Sequence, residues 1–373
     1  MQTYIIADNI VSPLGSTTQE NFDQVRQRKS GICLMNNDLY SDGSIYAAGM
    51  KEEVSNDKGA TRFESLCIQS ITQALSHTSF TGAEKDTIFI LSTTKGNIDL
   101  VEKDKSPDII ARVSLEHIAQ LIASHFQAVN KPIVVSNACI SGVLAIITAK
   151  RLLASGKYRH AVVVGADLLS RFVVSGFQSL MAMSDEPCRP FDKARKGINL
   201  GEGAATVIMT TDHSLTNHNS ILVLGEGVSN DANHISGPSR TGDELAGAVF
   251  KAMRISSITP VDLSFVSAHG TATIYNDEME SRAFYSAGLS AVPLHSLKAY
   301  FGHTLGAAGV IESIMTIQSL REKCILPSGN FSDLGVPKDI KVNSQLVDSD
   351  KHYALKTASG FGGCNAALVY SSL

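Results

Sequence analysis

The sequence has no tryptophan, no C-x-x-C pair and no excess of either charge sign. Each absence removes a class. With 32 Lys and Arg against 36 Asp and Glu, the formal net charge is −4. A nucleic-acid binder acting through bulk positive charge is therefore excluded. The six cysteines (Cys33, Cys67, Cys139, Cys188, Cys324 and Cys364) are scattered singly. That spacing indicates neither a zinc knot nor a disulfide framework. The default is a reduced, cytoplasmic protein in which one thiol is available as a nucleophile. No apolar run approaches the roughly 18 residues of a membrane helix. The opening MQTYIIADNIVSPLG lacks a basic stretch before an apolar one, so it reads as a first strand rather than a signal peptide.

What is present is an ordinary globular composition. The 373 residues are 43% hydrophobic, with 29 glycines that fall in bunches, and the length suits one large α/β domain or two fused halves. Short β-branched runs predict strands at 4–7, 87–92, 132–136, 161–166, 204–210, 220–228, 263–268, 353–359 and 365–371. Helical periodicity covers 18–27, 61–76, 114–126, 139–155, 241–255, 277–286 and 309–322. Strands separated by helices predict a mostly parallel or mixed sheet covered on its faces. The polar stretch TTDHSLTNHNS, residues 210–220, is either a seam between halves (1–219 and 220–373) or one surface loop. Each half holds a strand, a Gly-bearing turn and a small-residue helix, which suggests an internal duplication.

Four windows carry chemistry. SNACISG, residues 136–142, puts Cys139 between a strand and a helix N-terminus, where free N–H groups and the helix dipole favour a thiolate. A small buried core cysteine is the plainer alternative. SAHGTATIYNDEMES, residues 267–281, ends a strand at His269, where a side chain can enter a cleft or simply close a strand end. LKAYFGHTLGAAGVIES, residues 297–313, brings Lys298, His303 and Glu312 together around small residues. A lysine in such apolar surroundings needs a carboxylate, and Glu312 is the candidate. The alternative is a tight helix contact beside a surface lysine. ASGFGGCNAALVY, residues 358–370, places Phe361 in a glycine turn before a strand, which disfavours phosphate cradling.

Taken in order, these windows resemble the elongating (type I/II) β-ketoacyl-acyl-carrier-protein synthases of the thiolase superfamily. CRPFDKARKGINLGEGAA (188–205) and DANHISGP (231–238) add to the resemblance, which runs from about residue 130 to the end. It implies a thiolase-like α-β-α-β-α fold of two duplicated halves, each with a five-stranded mixed sheet. It also implies a dimer, either of identical chains or with a homologous subunit. Cys139 would carry the acyl chain, and His269 and His303 would assist decarboxylation of malonyl-acyl carrier protein. Lys298 and Glu312 would pair to orient the histidines. Phe361 would gate entry, and its N–H would share an oxyanion with that of Cys139. No metal, nucleotide or flavin would be required. Cys-His-His separates this pattern from the Cys-His-Asn initiating enzymes and the Cys-His-Cys thiolases, and Cys139 argues against a non-catalytic partner subunit. Two other readings are a motif-retaining partner and an acyltransferase that does not condense. Residues 86–99 lack the usual glycine-rich turn. Ile140, where a smaller residue is common, is expected to narrow the pocket. Arg189, Lys193, Arg195 and Lys196 are candidates for receiving an acidic carrier protein.

Overall fold

The computed structural model describes residues 1–36, 40–50, 59–233 and 237–373. Residues 234–236 of the DANHISGP motif lie outside the described residues. The first half contributes β1 (Tyr4–Val11), β2 (Thr87–Ser92), β3 (Ile133–Val135), β4 (His160–Asp167) and β5 (Gly203–Thr210). The second contributes β6 (Ile221–Asn230), β7 (Leu263–Ser267), β8 (Leu294–His295), β9 (Tyr353–Gly360) and β10 (Cys364–Ser372). Their spatial orders are β1-β5-β4-β2-β3 and β6-β10-β9-β7-β8. In both, the first two pairings are antiparallel and the last two parallel. Each strand thus has a counterpart five places on, the pattern that a duplication leaves. The two expected sheets are not separate: β1 meets β6 through Tyr4↔Leu222 and Ile5↔Ile221, making one ten-stranded sheet.

Six helices matter for the site: α1 (Arg62–Leu75), α2 (Ser141–Ala154), α3 (Arg171–Ser179), α4 (Asp243–Ser256), α5 (Ile274–Ser286) and α6 (Ala308–Arg321). Alternation along each strand sends neighbouring residues to opposite faces. In β2, Ile88 and Ile90 join the inner core with Ile146 of α2 and Ile311 of α6, whereas Phe89 and Leu91 pack outward with Phe63 and Leu66 of α1. In the second half, Leu368 and Tyr370 face the inner core, while Val369 packs outward with Val249 of α4 and Phe284 of α5. Helices α2 and α6 therefore fill the layer between the two half-sheets, and α6 is buried continuously from Ala308 to Leu320. This is the expected five-layer arrangement.

The two inner helices cross at glycines. A Cβ on Gly142 would lie 2.7 Å from Val310 N, and one on Gly309 would lie 2.4 Å from Val143 N. Backbone meets backbone there, so no side chain fits. The crossing brings the N-terminus of α2, which follows Cys139, against the segment that carries His303.

Candidate active site

Cys139 sits in the turn between β3 and α2. Ser141 closes that turn by accepting the Asn137 N–H at 2.7 Å and donating to Ala138 O at 2.6 Å. Ala138 is held at φ 44°, a left-handed conformation that a non-glycine residue keeps only when its surroundings enforce it. Gly360 presses on this turn, since a Cβ there would stand 3.1 Å from Cys139 N. The neighbouring Phe361 N–H favours the charged form of the Cys139 sulfur.

His269 follows β7, and Glu280 of α5 fixes its backbone. That carboxylate accepts His269 N–H at 2.9 Å and Gly270 N–H at 2.6 Å. Asp277, one turn earlier on α5, accepts Thr271 N–H at 3.0 Å and Phe191 N–H at 2.7 Å. His303 is strapped by the CRPFDKARKGINLGEGAA segment. Its N–H donates to Asn199 O at 2.7 Å, and its carbonyl accepts from Gly201 N–H at 3.1 Å.

The ring tautomers follow from the donors that surround them. Lys298 Nζ, an obligate donor, lies 3.2 Å from His269 Nδ1, 2.8 Å from His269 O and 2.6 Å from Glu312 Oε1. Leu305 N–H points at His303 Nδ1 from 3.2 Å. Both Nδ1 atoms are thus acceptors, and both Nε2 atoms carry the hydrogen. Among the described residues, His303 Nε2 is buried without a partner. The rings meet edge-on, with centroids 5.2 Å apart. One donor atom each from Cys139, His269 and His303 falls within 4.8 Å of the others, a spacing that a single thiophilic ion could also span. Burial, reinforced by the Lys298 charge, holds both imidazoles well below their ordinary titration range. We therefore expect 15N NMR at pH 6 to show neutral Nε2–H tautomers for both rings. An imidazolium signal at either would refute this.

Cys139 departs from expectation. Burial pushes its thiol up to about 12, outweighing the nearby Lys298 charge and the Phe361 N–H. The resting group is a thiol rather than a thiolate, and the helix N-terminus acts on charge that appears only during attack.

These groups open into a cavity of about 380 Å³, whose lining includes Cys139, Phe177, His269, His303, Thr271 and Phe361. Phe361 is 38% exposed and stacks on Phe177 of α3 at 5.8 Å. Ile140 does not narrow this space, because it is fully buried in the inner core rather than in the lining. The basic cluster also divides. Arg195 is an internal strut, donating to Asp192 O and Gly335 O and lying 3.9 Å from Asp277. Lys193 and Lys196 remain exposed, and Lys196 stands at the cavity beside Asp185 and Glu186. In place of a glycine-rich turn after β2, Asp167 gathers Thr93, the Thr94 and Lys95 N–H groups and Gly306 N–H.

All six expected residues therefore converge on one site. Sequence pattern alone does not reveal the anchoring roles of Glu280 and Asn199, the Phe177 wall, or Lys356, whose ammonium lies 2.7 Å from Glu312 Oε2. A lysine inside the apolar strand YALKTASG was the available signal for the last.

Descriptions of the β-ketoacyl synthase N-terminal and C-terminal domains match residues 3–214 and 221–332. The chain belongs to the β-ketoacyl synthase family. It is a 3-oxoacyl-acyl-carrier-protein synthase, an acyltransferase of Claisen condensation in acyl chain biosynthesis. The synthase is 29% identical over 401 residues to 3-oxoacyl-acyl-carrier-protein synthase 2 of Vibrio harveyi, covering 98% of this chain and 97% of that one. A ketosynthase in complex with its chain length factor from Xenorhabdus doucetiae matches with TM-score 0.88 and 25% identity, over 100% of this chain and 98% of that one. A β-ketoacyl synthase from Burkholderia phymatum STM815 shares the fold with TM-score 0.90 and 24% identity, over 100% and 99%. Among the described residues, no helix of the synthase is long and apolar enough to cross a membrane.

Proposed function

We propose that this synthase is an active condensing subunit. It extends an acyl chain held on Cys139 with a malonyl unit delivered by an acyl carrier protein. The observation that carries this reading is the convergence of one thiol and two imidazoles, with one ligand atom from each within 4.8 Å of the others, in rings whose Nδ1 atoms accept and whose Nε2 atoms therefore carry the hydrogen. Two donors fixed in that state suit an oxygen that becomes negative.

In the first step the Cys139 sulfur attacks the acyl thioester. The bond to the carrier sulfur breaks, and the thiol proton leaves with the carrier. Malonyl thioester then binds with its carbonyl oxygen facing His269 and His303. Its bond to the carboxylate breaks, CO2 departs, and the electron pair becomes an enolate held by the two Nε2–H groups. The enolate carbon attacks the acyl carbonyl, while the N–H groups of Cys139 and Phe361 receive the oxyanion. Collapse of that intermediate expels the Cys139 sulfur, which regains a proton. Lys298 and Glu312 orient His269 and are positioning residues. The Phe361 ring, stacked on Phe177, must move for malonyl substrate to enter.

The end position of β3 in its half-sheet supports pairing of that strand across a two-fold axis, with an identical chain or a homologous subunit. We place the boundary between halves at 219/220, in the segment linking β5 to β6. We place the synthase in a reducing cytoplasm, a reading supported by six unpaired cysteines.

The test is to incubate the purified protein with acyl- and malonyl-carrier protein, following CO2 and 3-oxoacyl product together. Product formation is expected. Absence of product, together with a Cys139 inert to thiol-directed inhibitors, sinks the reading. Acylation of Cys139 without condensation identifies a plain acyltransferase.

A further inference from the structure

Lys356 is a fully buried lysine with no part in the steps above. It lies on β9, opposite Ser267 of β7, and Ser267 in turn stands opposite His295 of β8. The three residues form a row across parallel strands. Residue alternation turns the Lys356 side chain toward the inner layer, where α6 presents Glu312. There Lys356 Nζ lies 2.7 Å from Glu312 Oε2 and donates to the carbonyls of Ser267 and Thr357. Glu312 offers its other oxygen, Oε1, to Lys298. One carboxylate is thus divided between two buried ammonium groups, and one of those ammoniums holds a catalytic imidazole.

We infer that Lys356 is a positioning residue: by occupying Glu312 Oε2, it leaves only Oε1 for Lys298 and so keeps Lys298 Nζ on His269 Nδ1. The inference rests on the decarboxylation role proposed for His269. Without Lys356, both Glu312 oxygens become available to Lys298 and draw its ammonium off the ring. His269 is then free to place its hydrogen on Nδ1, and the Nε2–H donor facing the malonyl carbonyl is lost. A second effect is electrostatic. The charged and titratable groups around Lys356 are Glu312 on α6, Lys298 in the segment before it, Glu280 on α5, His295 on β8, and the two site histidines. The Lys356 charge lowers the proton affinity of His269, His303 and His295. Removing it raises that affinity, so protonation of the site histidines begins at higher pH.

The test uses Lys356→Met in the full-length protein, measuring malonyl-carrier decarboxylation across pH. We expect kcat to fall by about tenfold or more, because the lost donor acts on developing charge, while KM stays within about twofold. The acidic limb of the rate profile moves to higher pH. A role confined to packing would leave that limb where it is. Because Lys356→Met strands half of a buried carboxylate, the change is repeated in a Glu312→Gln background, where no carboxylate is left to be stranded. There Lys356→Met is expected to add no further loss in kcat. An unchanged kcat, a loss carried by KM, an unmoved acidic limb, or an additive loss in the double variant overturns the inference. Failure of the underlying reading looks different, since decarboxylation would then survive His269→Ala.

Discussion

Cys139→Ala is expected to lower condensation on the order of 10⁴-fold or more, since Cys139 is the proposed covalent nucleophile and the neighbouring Cys364 thiol does not line the cavity. Decarboxylation should respond differently. The proposed donors for the enolate are His269 and His303, held by Lys298, Glu280, Asn199 and Leu305, and none of these attachments involves the thiol. Cys139→Gln should therefore still release CO2 from malonyl-carrier protein while forming no 3-oxoacyl product. His303→Ala should do the converse damage, cutting CO2 release by about 10²- to 10³-fold, the usual cost of removing one preorganised donor. Acyl transfer to Cys139, which needs only the sulfur and the two N–H groups, should persist. Radiolabelled malonyl-carrier protein measures CO2 release, and mass spectrometry of the intact enzyme measures acylation. If Cys139→Gln stopped both reactions, or His303→Ala spared decarboxylation, the division of labour proposed here would be wrong.

Gly309→Ala is expected to destabilise the fold by about 3 kcal/mol, near the upper end of ordinary overpacking costs. The added methyl would lie 2.4 Å from Val143 N and 2.9 Å from Gly142 C. Both are backbone atoms of a buried helix, so neither can swing aside as a flexible side chain would. Relief requires moving α6 from α2, which also moves His303 relative to Cys139. Activity should therefore fall along with stability. Gly247→Ala on α4 is the control, because it is exposed and its Cβ would meet nothing within 4 Å. There the exchange should stabilise by about 0.5–1 kcal/mol through helix propensity alone. Urea unfolding of both variants decides the matter. Equal midpoints would show that the glycine crossing is looser than its geometry indicates.

Much of this site can be read from sequence because local chemistry marks it. A cysteine between a strand and a helix start, a histidine ending a strand, and a lysine among small residues each carry a local physical signature. The strand and helix positions were legible for the same reason, being set by alternation and periodicity. β8 was not legible. It is two residues long, and it exists because Leu294 and His295 pair with Val266 and Ser267 of β7. Helix α3, with Phe177 on the cavity wall, was missed because its sequence RFVVSGFQS mixes β-branched residues with glycine. The expectation for Ile140 failed on direction: sequence places it beside the nucleophile, whereas the helix start turns its side chain into the core. Arg195 failed on partners, since a basic run looks solvated until Asp277 and Gly335 are brought to it.

The sequence by itself determined an α/β fold with a covered sheet and, through its resemblance to the β-ketoacyl synthases, the candidate nucleophile and the pair of histidines, because those windows depend on residue type and near neighbours. Tertiary structure decided the protonation pattern. Whether a histidine offers Nε2–H, whether Cys139 rests as a thiol, and whether Glu312 serves one lysine or two all depend on burial and on distant donors. Residues 139, 269, 298, 303, 312 and 356 come together only when the two half-sheets close on α2 and α6. Charge in that dry layer then answers to a few fixed dipoles instead of to water.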